Sequence, residues 1–316
     1  MKRRCVLTGG TGFVGANLAR RLLHDGHEVH LLVRRGARWW RLQGVLDQVR
    51  PHVVDFADEG ALRQVAEEIR PDWVFHLATH GAYSYQNDLR TIIQTNVLGV
   101  INLVEVFAEL GFEAFVNTGS SSEYGFKDHA PTEEEWLDPN SYYAVAKSSA
   151  TLFCRYTAQA RRLHIPTLRL YSVYGPYEEP TRLIPTLIEA GLAKCLPVLA
   201  APDTARDYVY VDDVVDAYLL AAATPGLDRG AVYNVGSGRQ TTLREVVDIA
   251  KRVLNISAEP AWGTMGSRSW DTDVWVADSA LIDKQLGWKA AHSFENGFRA
   301  TVAWRRQKRE EPAWMS

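Results

Sequence analysis

The sequence has 316 residues, of which 46% are hydrophobic and 23% are charged, and its formal net charge is −3. This length suits one large domain or two unequal ones, and the negative balance excludes the broad positive field that attracts nucleic acid. The start of the chain lacks the long apolar segment and cleavage site of a signal peptide, and no window approaches about 18 apolar residues. We therefore expect a cytoplasmic protein with no membrane span.

Strand-like and helix-like runs alternate through the first half of the chain. Short apolar runs predict strands at 5–8, 29–33, 52–54, 73–77, 114–117 and 167–171. Helical spacing of apolar residues predicts helices at 13–24, 58–69, 89–110 and 141–164. Strands separated by helices of this length require right-handed crossovers, and continuous apolar strands are typical of a sheet buried on both faces. The predicted class is α/β, a Rossmann-type doubly wound parallel sheet.

The regular alternation of strands and helices ends after Gly175-Pro176, where a loop-rich stretch contains several prolines. Helices are predicted near 183–193, 242–253, 279–286 and 294–308, with a strand-helix-strand passage at about 207–235. We therefore expect two units, 1–175 and a smaller C-terminal α/β subdomain at 176–316. Part of 206–235 is expected to return to the first unit.

A glycine loop follows the first predicted strand directly and opens the first helix. Its sequence, Thr-Gly-Gly-Thr-Gly-Phe-Val-Gly at 8–15, has the GxxGxxG spacing. A pyrophosphate needs close backbone approach and free N–H groups at a helix N-terminus. We expect Gly9 to allow the tight turn, Gly12 to clear space for the phosphates and Gly15 to let the helix pack on the sheet. The loop predicts a dinucleotide site in the 1–175 unit.

The end of the second strand indicates which dinucleotide binds. An acidic residue there reads a ribose 2′-hydroxyl, whereas arginine favours a 2′-phosphate. This chain has Arg34 and Arg35 and no carboxylate, which favours NADP(H). NAD(H) remains possible if these arginines face solvent or stack on adenine. Asp55, after the third strand, is expected either to accept a hydrogen bond from the adenine amino group or to belong to a helix N-cap region.

A tyrosine and a lysine four residues apart predict a catalytic pair. Tyr143 and Lys147 share one face of a helix, and an ammonium beside a phenol is expected to lower the tyrosine pKa. Such a tyrosine can exchange a proton with a sugar oxygen while hydride moves at carbon. Upstream, Ser120 ends a predicted strand, where ligands of open parallel sheets bind. We expect Ser120 to share the proton with Tyr143, although a serine cluster could also be a turn.

These motifs resemble the extended short-chain dehydrogenase/reductase family, the NAD(P)-dependent sugar-nucleotide epimerases, dehydratases and 4-ketoreductases. Further segments similar to the family lie at 76–78, 95–97, 171–176, 206–213 and 234–238. Together the motifs and the resemblance imply cofactor contacts from Gly9, Thr11, Gly12, Phe13, Val14, Gly15, Arg34, Arg35, Asp55, Phe56, Leu77, Ala78, Thr79, Asn96, Tyr143, Lys147, Tyr171 and Val173. They imply contacts to a nucleotide-diphosphate sugar from His80, Ser121, Ser122, Leu183, Arg206 and Arg268. The arginines suit this ligand because their fork matches phosphate oxygens.

The resemblance leaves the reaction open. Family dehydratases carry acidic residues directly after the active-site serine or threonine, where this chain has Ser121 and Ser122. Glu123 comes one residue later, and in an extended segment that offset points its side chain to the other face, so dehydration is disfavoured. A 4-ketoreductase and a 4-epimerase remain, and the arginine pair favours the reductase. The remote alternative is a non-catalytic protein that senses the cofactor.

Metal and disulfide sites are not expected. The three cysteines, Cys5, Cys154 and Cys195, are widely separated, and the nine histidines show no metal-ligand spacing. The helices at 89–110 and 141–164 have wide apolar faces and resemble the family pair that forms a four-helix bundle between two subunits. We therefore expect a homodimer that binds a nucleotide-diphosphate sugar and neither nucleic acid nor membrane.

Overall fold

A computed structural model describes residues 1–83, 85–225, 228–263 and 274–309. Ten strands lie within these ranges: β1 Arg4–Thr8, β2 Glu28–Val33, β3 Val49–Val53, β4 Trp73–His76, β5 Ala114–Ser120, β6 Thr167–Leu170, β7 Ser172–Tyr174, β8 Ala205–Tyr210, β9 Val232–Val235 and β10 Gln240–Thr242. The helices are α1 Phe13–His24, α2 Glu59–Ile69, α3 Leu89–Ile93, α4 Gly99–Leu110, α5 Tyr142–Arg161, α6 Leu183–Leu192, α7 Val211–Ala223, α8 Leu243–Leu254, α9 Ala280–Leu286 and α10 Phe294–Arg309.

Seven parallel strands form the central sheet in the order β3-β2-β1-β4-β5-β6-β9. Successive side chains point to opposite faces, so Val6 and Val74 enter one core whereas Leu7 and Phe75 enter the other. Helices α1 and α7 cover one face, and α2, α4 and α5 cover the other. The doubly wound Rossmann-type sheet predicted from the sequence is confirmed.

A smaller sheet, ordered β10-β8-β7, lies in the second half of the chain. Its strands pack with α6, α8 and α10 around Tyr174, Ile188, Tyr210, Val246 and Phe298. The same half also supplies α7 and β9 to the central sheet, and Ile282 and Trp288 to its core. The second half of the chain therefore contributes to both units.

Two boundaries differ from the sequence predictions. Strand β3 begins at Val49, earlier than the predicted 52–54, and contains Arg50 and Pro51. It pairs only with β2, and an edge strand tolerates proline because one side needs no ladder hydrogen bonds. The predicted helix at 89–110 contains a π-helical turn, Gln94–Leu98, between α3 and α4. Such turns are frequent at functional sites, and this one carries the buried Asn96.

The run Leu89–Leu110 is 22 residues long, and its most apolar 18-residue window has a mean hydropathy of 1.5. By length and composition this is enough to cross a membrane, so the expectation that no window would approach that length was wrong. However, 44% of the window is buried inside the fold. Its residues Val100, Leu103, Val104 and Phe107 pack in the core beneath the sheet. Core helices pass the same test, which makes the run weak evidence for a membrane span.

Candidate active site

The glycine loop joins β1 to α1 beside the end of β4. Gly9 has φ +67°, and a Cβ there would lie 2.6 Å from the main chain of Leu77 and Ala78. Gly9 therefore serves both the turn and the close approach of two main chains. Helix α1 follows Gly12, which provides no side-chain cap, so first-turn N–H groups remain for an anion. This geometry fits the pyrophosphate of a dinucleotide.

Gly15 has a different neighbour from the one predicted. A Cβ on Gly15 would collide with the Gly9 carbonyl oxygen. Gly15 is therefore needed for the close approach of α1 to the glycine loop, whereas other residues of α1 make the contact with the sheet. Gly10, which the spacing did not single out, faces Leu31: its Cβ would lie 2.6 Å from Leu31 Cδ2. Thr11, Phe13 and Val14 occupy the same turn and the start of the helix, as predicted.

Arg34 and Arg35 follow β2 and are both exposed. Within the described ranges neither has a carboxylate partner, so both guanidinium groups are available to a phosphate. Burial lowers the pKa of the His80 imidazole, and the charge of Arg34 nearby lowers it further. The two exposed guanidinium groups therefore make the end of β2 positively charged.

Asp55 and Phe56 lie in the connection between β3 and α2. Asp55 Oδ1 accepts a hydrogen bond from the Ala57 N–H at 3.0 Å, and α2 is capped by Asp58, so Asp55 belongs to the turn before the cap. Its remaining oxygen leaves the predicted adenine contact possible. The Phe56 ring packs towards His76, with ring centres 6.4 Å apart, and the Phe56 carbonyl accepts from Asn102.

The loop after β4 is held by two buried side chains. The Thr8 hydroxyl bonds His76 Nδ1 at 2.8 Å and accepts from the Ala78 N–H at 3.1 Å. Asn96 Oδ1 accepts from the Thr79 hydroxyl and the His80 N–H, and Asn96 Nδ2 donates to the His80 carbonyl. The predicted cofactor residue Asn96 thus uses its amide within the protein and positions the loop that carries Leu77, Ala78 and Thr79.

Ser120, Tyr143 and Lys147 meet where β5 ends against α5. Ser120 is 8% exposed and Lys147 3% exposed. Lys147 Nζ donates to the Thr118 carbonyl at 2.9 Å and lies 6.0 Å from the centre of the Tyr143 ring. The structure thus brings together the three residues predicted as catalytic. The Thr118 carbonyl was missed, because a main-chain acceptor has no sequence signal.

The pKa of Tyr143 differs in direction from the sequence prediction. Burial raises it, whereas hydrogen bonding by the Ser120 and Thr79 hydroxyls and the charge of Arg182 oppose the rise. Burial also lowers the pKa of Lys147 to about 8, so its charge is weakly held near neutral pH. The net shift is therefore opposite to the predicted lowering, because desolvation of the phenol outweighs the interactions that favour the phenolate. Arg182, in the loop before α6, was missed because nothing in the sequence marked it.

Glu123 does not face the space beside Ser120 and Tyr143. It is fully buried, and its carboxylate bonds Arg169 Nε at 2.9 Å, the Ser120 N–H at 2.8 Å and the Thr151 hydroxyl at 3.0 Å. The predicted placement of this side chain away from Ser121 and Ser122 is observed, but the predicted reason was wrong. Ser121–Tyr124 forms a 3-10 turn and not an extended segment, and a capping box with Ser120 turns the Glu123 carboxylate inward. Because its carboxylate accepts three hydrogen bonds within the protein, Glu123 is not placed to exchange a proton with a substrate.

The predicted substrate residues lie around the same edge. Ser121 lines a small cavity with Tyr171 and Trp275, and in the described part of the chain the buried Tyr171 hydroxyl has no partner. The Ser122 N–H donates to Ser120 Oγ at 3.2 Å. Arg206 lies 5.3 Å from the Trp275 ring centre and donates to the Ala205 carbonyl.

The remaining predicted contacts are less direct. Leu183 begins α6 and packs partly buried against the smaller sheet's core, and Val173 lies within β7, its N–H bonded to the Tyr171 carbonyl. Arg268 lies outside the described residues. Within those residues no group of three or more metal-ligating side chains occurs.

The fold and site define a nicotinamide-dependent enzyme of the extended short-chain dehydrogenase/reductase type. A family model described as "NAD dependent epimerase/dehydratase family" matches residues 5–236, and the chain belongs to that family. A dTDP-glucose 4,6-dehydratase of Neisseria meningitidis serogroup B is 29% identical over 96% of this chain and 93% of its own length. Two solved UDP-glucose 4-epimerases are each 27% identical. That of Thermotoga maritima, with UDP-glucose, covers 97% of this chain and 99% of its own at TM-score 0.87. The Thermus thermophilus enzyme, solved in complex with NAD, covers 96% of this chain and 99% of its own chain, with a TM-score of 0.84.

These similarities make the chain an enzyme of the nucleotide-sugar epimerase and dehydratase kind, and they exclude the non-catalytic alternative. The relatives include both dehydratases and epimerases, so family membership alone does not choose a reaction.

Proposed function

We propose that this enzyme transfers hydride at C4 of a nucleotide-diphosphate sugar, with Tyr143 carrying the proton. The observation that carries the proposal is the meeting of Ser120, Tyr143 and Lys147 at the carboxyl end of the sheet, beside the glycine loop. Ligands of open parallel sheets bind at this end. When bound, the nicotinamide cofactor supplies or accepts the hydride.

The protein's part is to hold and move one proton. Because burial raises the pKa of Tyr143, the phenol is protonated at neutral pH and suited to donate to a C4 oxygen. The Ser120 hydroxyl, beside it, can hydrogen-bond the same oxygen and share the proton. The Lys147 ammonium, held by the Thr118 carbonyl, favours the phenolate once the proton has left.

We favour reduction of a 4-keto-6-deoxyhexose by NADPH. A protonated Tyr143 suits the reductive direction, and the exposed Arg34 and Arg35 suit a 2′-phosphate. Dehydration is disfavoured because Glu123 is held in its ion pair and Ser121 and Ser122 occupy the positions where acid-base chemistry would be needed.

A 4-epimerase with tightly held NAD is the second candidate. The similarity to epimerases over nearly the whole chain favours it, and the Thermus relative binds NAD. The same three side chains serve both reactions, because an epimerase oxidises C4 and then reduces its opposite face.

We also propose a homodimer in the cytoplasm. Helix α5 and the π-helical turn present exposed apolar side chains: Val145, Leu152 and Tyr156 on the helix and Leu98 on the turn. A second copy would cover this surface through a two-fold axis. The free, buried thiols of Cys5 and Cys154 suit a reducing compartment.

The deciding experiment identifies the nucleotide that the purified protein carries. The protein is denatured, the released nucleotide is identified by mass spectrometry, and cofactor-free protein is titrated with NADPH and NADH. A protein that arrives empty, prefers NADPH and oxidises it with a nucleotide-linked 4-keto sugar is a reductase. A protein that arrives with stoichiometric NAD and interconverts C4 epimers without net NADH formation is an epimerase. Turnover of neither kind would contradict hydride transfer at C4.

A further inference from the structure

Glu123 joins three elements behind the active site. Its Oε1 accepts from the Ser120 N–H at the end of β5 and from the Thr151 hydroxyl on α5, at 2.8 and 3.0 Å. Its Oε2 accepts from Arg169 Nε on β6 at 2.9 Å. One carboxylate therefore links Ser120 to the helix that carries Tyr143 and Lys147.

Thr151 lies on the same face of α5 as the catalytic pair. Residues 143, 147 and 151 are spaced by four, so their side chains succeed one another along one stripe of the helix. A hydrogen bond between Thr151 and Glu123 therefore fixes the distance of this stripe from the Ser120 main chain.

The residues around Glu123 stabilise a buried carboxylate. Glu123 is fully buried and Arg169 is 3% exposed, and such a pair persists only with good geometry and further hydrogen bonds. Arg169 Nη1 also donates to the Tyr124 hydroxyl at 2.8 Å, and Tyr124 donates to Asn234 at 2.7 Å. A Cβ on Gly119 would lie 2.7 Å from Glu123 Oε1, so only glycine leaves room for the carboxylate.

We propose that Glu123 is a positioning residue, which holds Ser120 in register with Tyr143 and Lys147 by tying the end of β5 to α5. The inference rests on the proposed hydride transfer. Glu123 also acts through its charge, which raises the pKa of Lys147 against the effect of burial and raises that of Tyr143.

The first test removes only the link to α5. Thr151→Val keeps the shape of the side chain and leaves the ion pair intact, whereas Thr151→Ser keeps the hydroxyl. We expect Thr151→Val to lower kcat about tenfold with KM within about twofold, since misplacement acts on the reacting geometry. Thr151→Ser should restore most of the rate. The matched control is Thr157→Val, which removes a buried hydroxyl six residues further along α5 and should leave kcat unchanged.

The second test removes the charge. Glu123→Gln keeps the size and one acceptor, and its thermal melt is measured first because Arg169 loses its ion-pair partner. The charged or titratable groups that face Lys147 are Glu123, Cys154 and His76. Those that face Tyr143 are Glu123, Arg182, Tyr218 and Lys147. Without the Glu123 charge the pKa values of both Lys147 and Tyr143 fall, so the alkaline midpoint of the reductive rate should move to lower pH.

Two results would overturn the inference. The first is a kcat of Thr151→Val that equals the kcat of the control Thr157→Val. The second is a folded Glu123→Gln variant whose rate has the same alkaline midpoint as the wild-type enzyme. A wild-type enzyme without turnover on nucleotide sugars would instead contradict the proposed function. The two failures are therefore distinguishable in one set of assays.

Discussion

Lys147 follows Tyr143 by one helical turn, and its ammonium lies 6.0 Å from the centre of the tyrosine ring. The ammonium donates to the Thr118 carbonyl at 2.9 Å, which holds it beneath the phenol. Burial acts on both groups by disfavouring their charged forms: it raises the pKa of Tyr143 and lowers that of Lys147 to about 8. At neutral pH the tyrosine is therefore a neutral phenol beside a lysine that is still mostly protonated, and burial disfavours the charge on each.

Replacing Lys147 should stabilise the protein while abolishing turnover. Its folded pKa of about 8 lies below the ordinary 10.5, so the unfolded chain holds the proton more strongly and wild-type stability rises with pH through this window. At pH 7 Lys147→Met should therefore increase the free energy of unfolding by about 1–3 kcal/mol. The gain should shrink as pH rises from about 8 towards 10.5.

Urea unfolding at pH 7 and pH 10 measures this effect. Lys284→Met, at an exposed position on α9, is the control and should change stability by less than about 0.5 kcal/mol. A Lys147→Met variant that is less stable than wild type at pH 7 would show that the bond to Thr118 outweighs the burial of the charge.

A comparison of Gly9 with Gly36 distinguishes the effect of backbone conformation from the effect of close packing. Both have positive φ, +67° and +77°, but a Cβ on Gly9 would meet main-chain atoms at 2.6 Å whereas one on Gly36 would meet nothing within 4 Å. Gly36→Ala should cost about 1 kcal/mol of stability. Gly9→Ala should cost more and weaken cofactor binding at least about tenfold, as measured by thermal melting and nucleotide titration. Equal effects of the two substitutions would refute the role given to Gly9.

The cofactor preference depends on Arg34 and Arg35. If they hold a 2′-phosphate, the double variant Arg34→Ala/Arg35→Ala should bind NADPH about 10- to 100-fold more weakly and NADH with unchanged affinity. Arg90→Ala, at an exposed arginine on α3, controls for net charge. Equal weakening of NADPH and NADH would mean that the arginines contact a part of the cofactor common to both.

The apolar face of α5 predicts the oligomeric state. Leu152 is 58% exposed and Tyr156 72% exposed on this helix. Leu152→Glu should convert the proposed homodimer to a monomer in analytical ultracentrifugation, because the proposed two-fold interface would bury a charge from each subunit. Val53→Glu, at a 66% exposed position on β3, should leave the dimer intact. A wild-type monomer, or a Leu152→Glu dimer, would reject α5 as the interface.

The sequence predicted what depends on local pattern. Strands such as β1, β4 and β5 were found because burial on both faces makes them continuous apolar runs, and the glycine loop was found from its position between a strand and a helix. Strand β3 was placed too late because Arg50 and Pro51 lack that signature. The π-helical turn around Asn96 was missed because one extra residue in a turn leaves the apolar spacing nearly unchanged.

Much of the rest of the site depends on contacts that are distant in sequence. Two of the three donors to Glu123 come from Thr151 and Arg169, and no spacing rule connects residues 123 and 169. The third, the Ser120 N–H, belongs to a Ser-x-x-Glu capping box, which is a local pattern. Likewise, the sequence showed Lys147 beside Tyr143 but not the desolvation of the phenol, which sets the direction of its pKa. Desolvation is a property of the folded chain, so the sequence alone predicted the wrong sign.

The turnover of Tyr143→Phe tests the central claim most directly. The substitution removes only the hydroxyl, so the variant should keep its thermal melt and its affinity for the cofactor. With a nucleotide-linked sugar substrate and matched cofactor, we predict a loss of kcat of at least about 100-fold, the range expected for a missing proton donor. A loss smaller than about tenfold in the folded, cofactor-binding variant would contradict the account and assign the proton to Ser120 or another group.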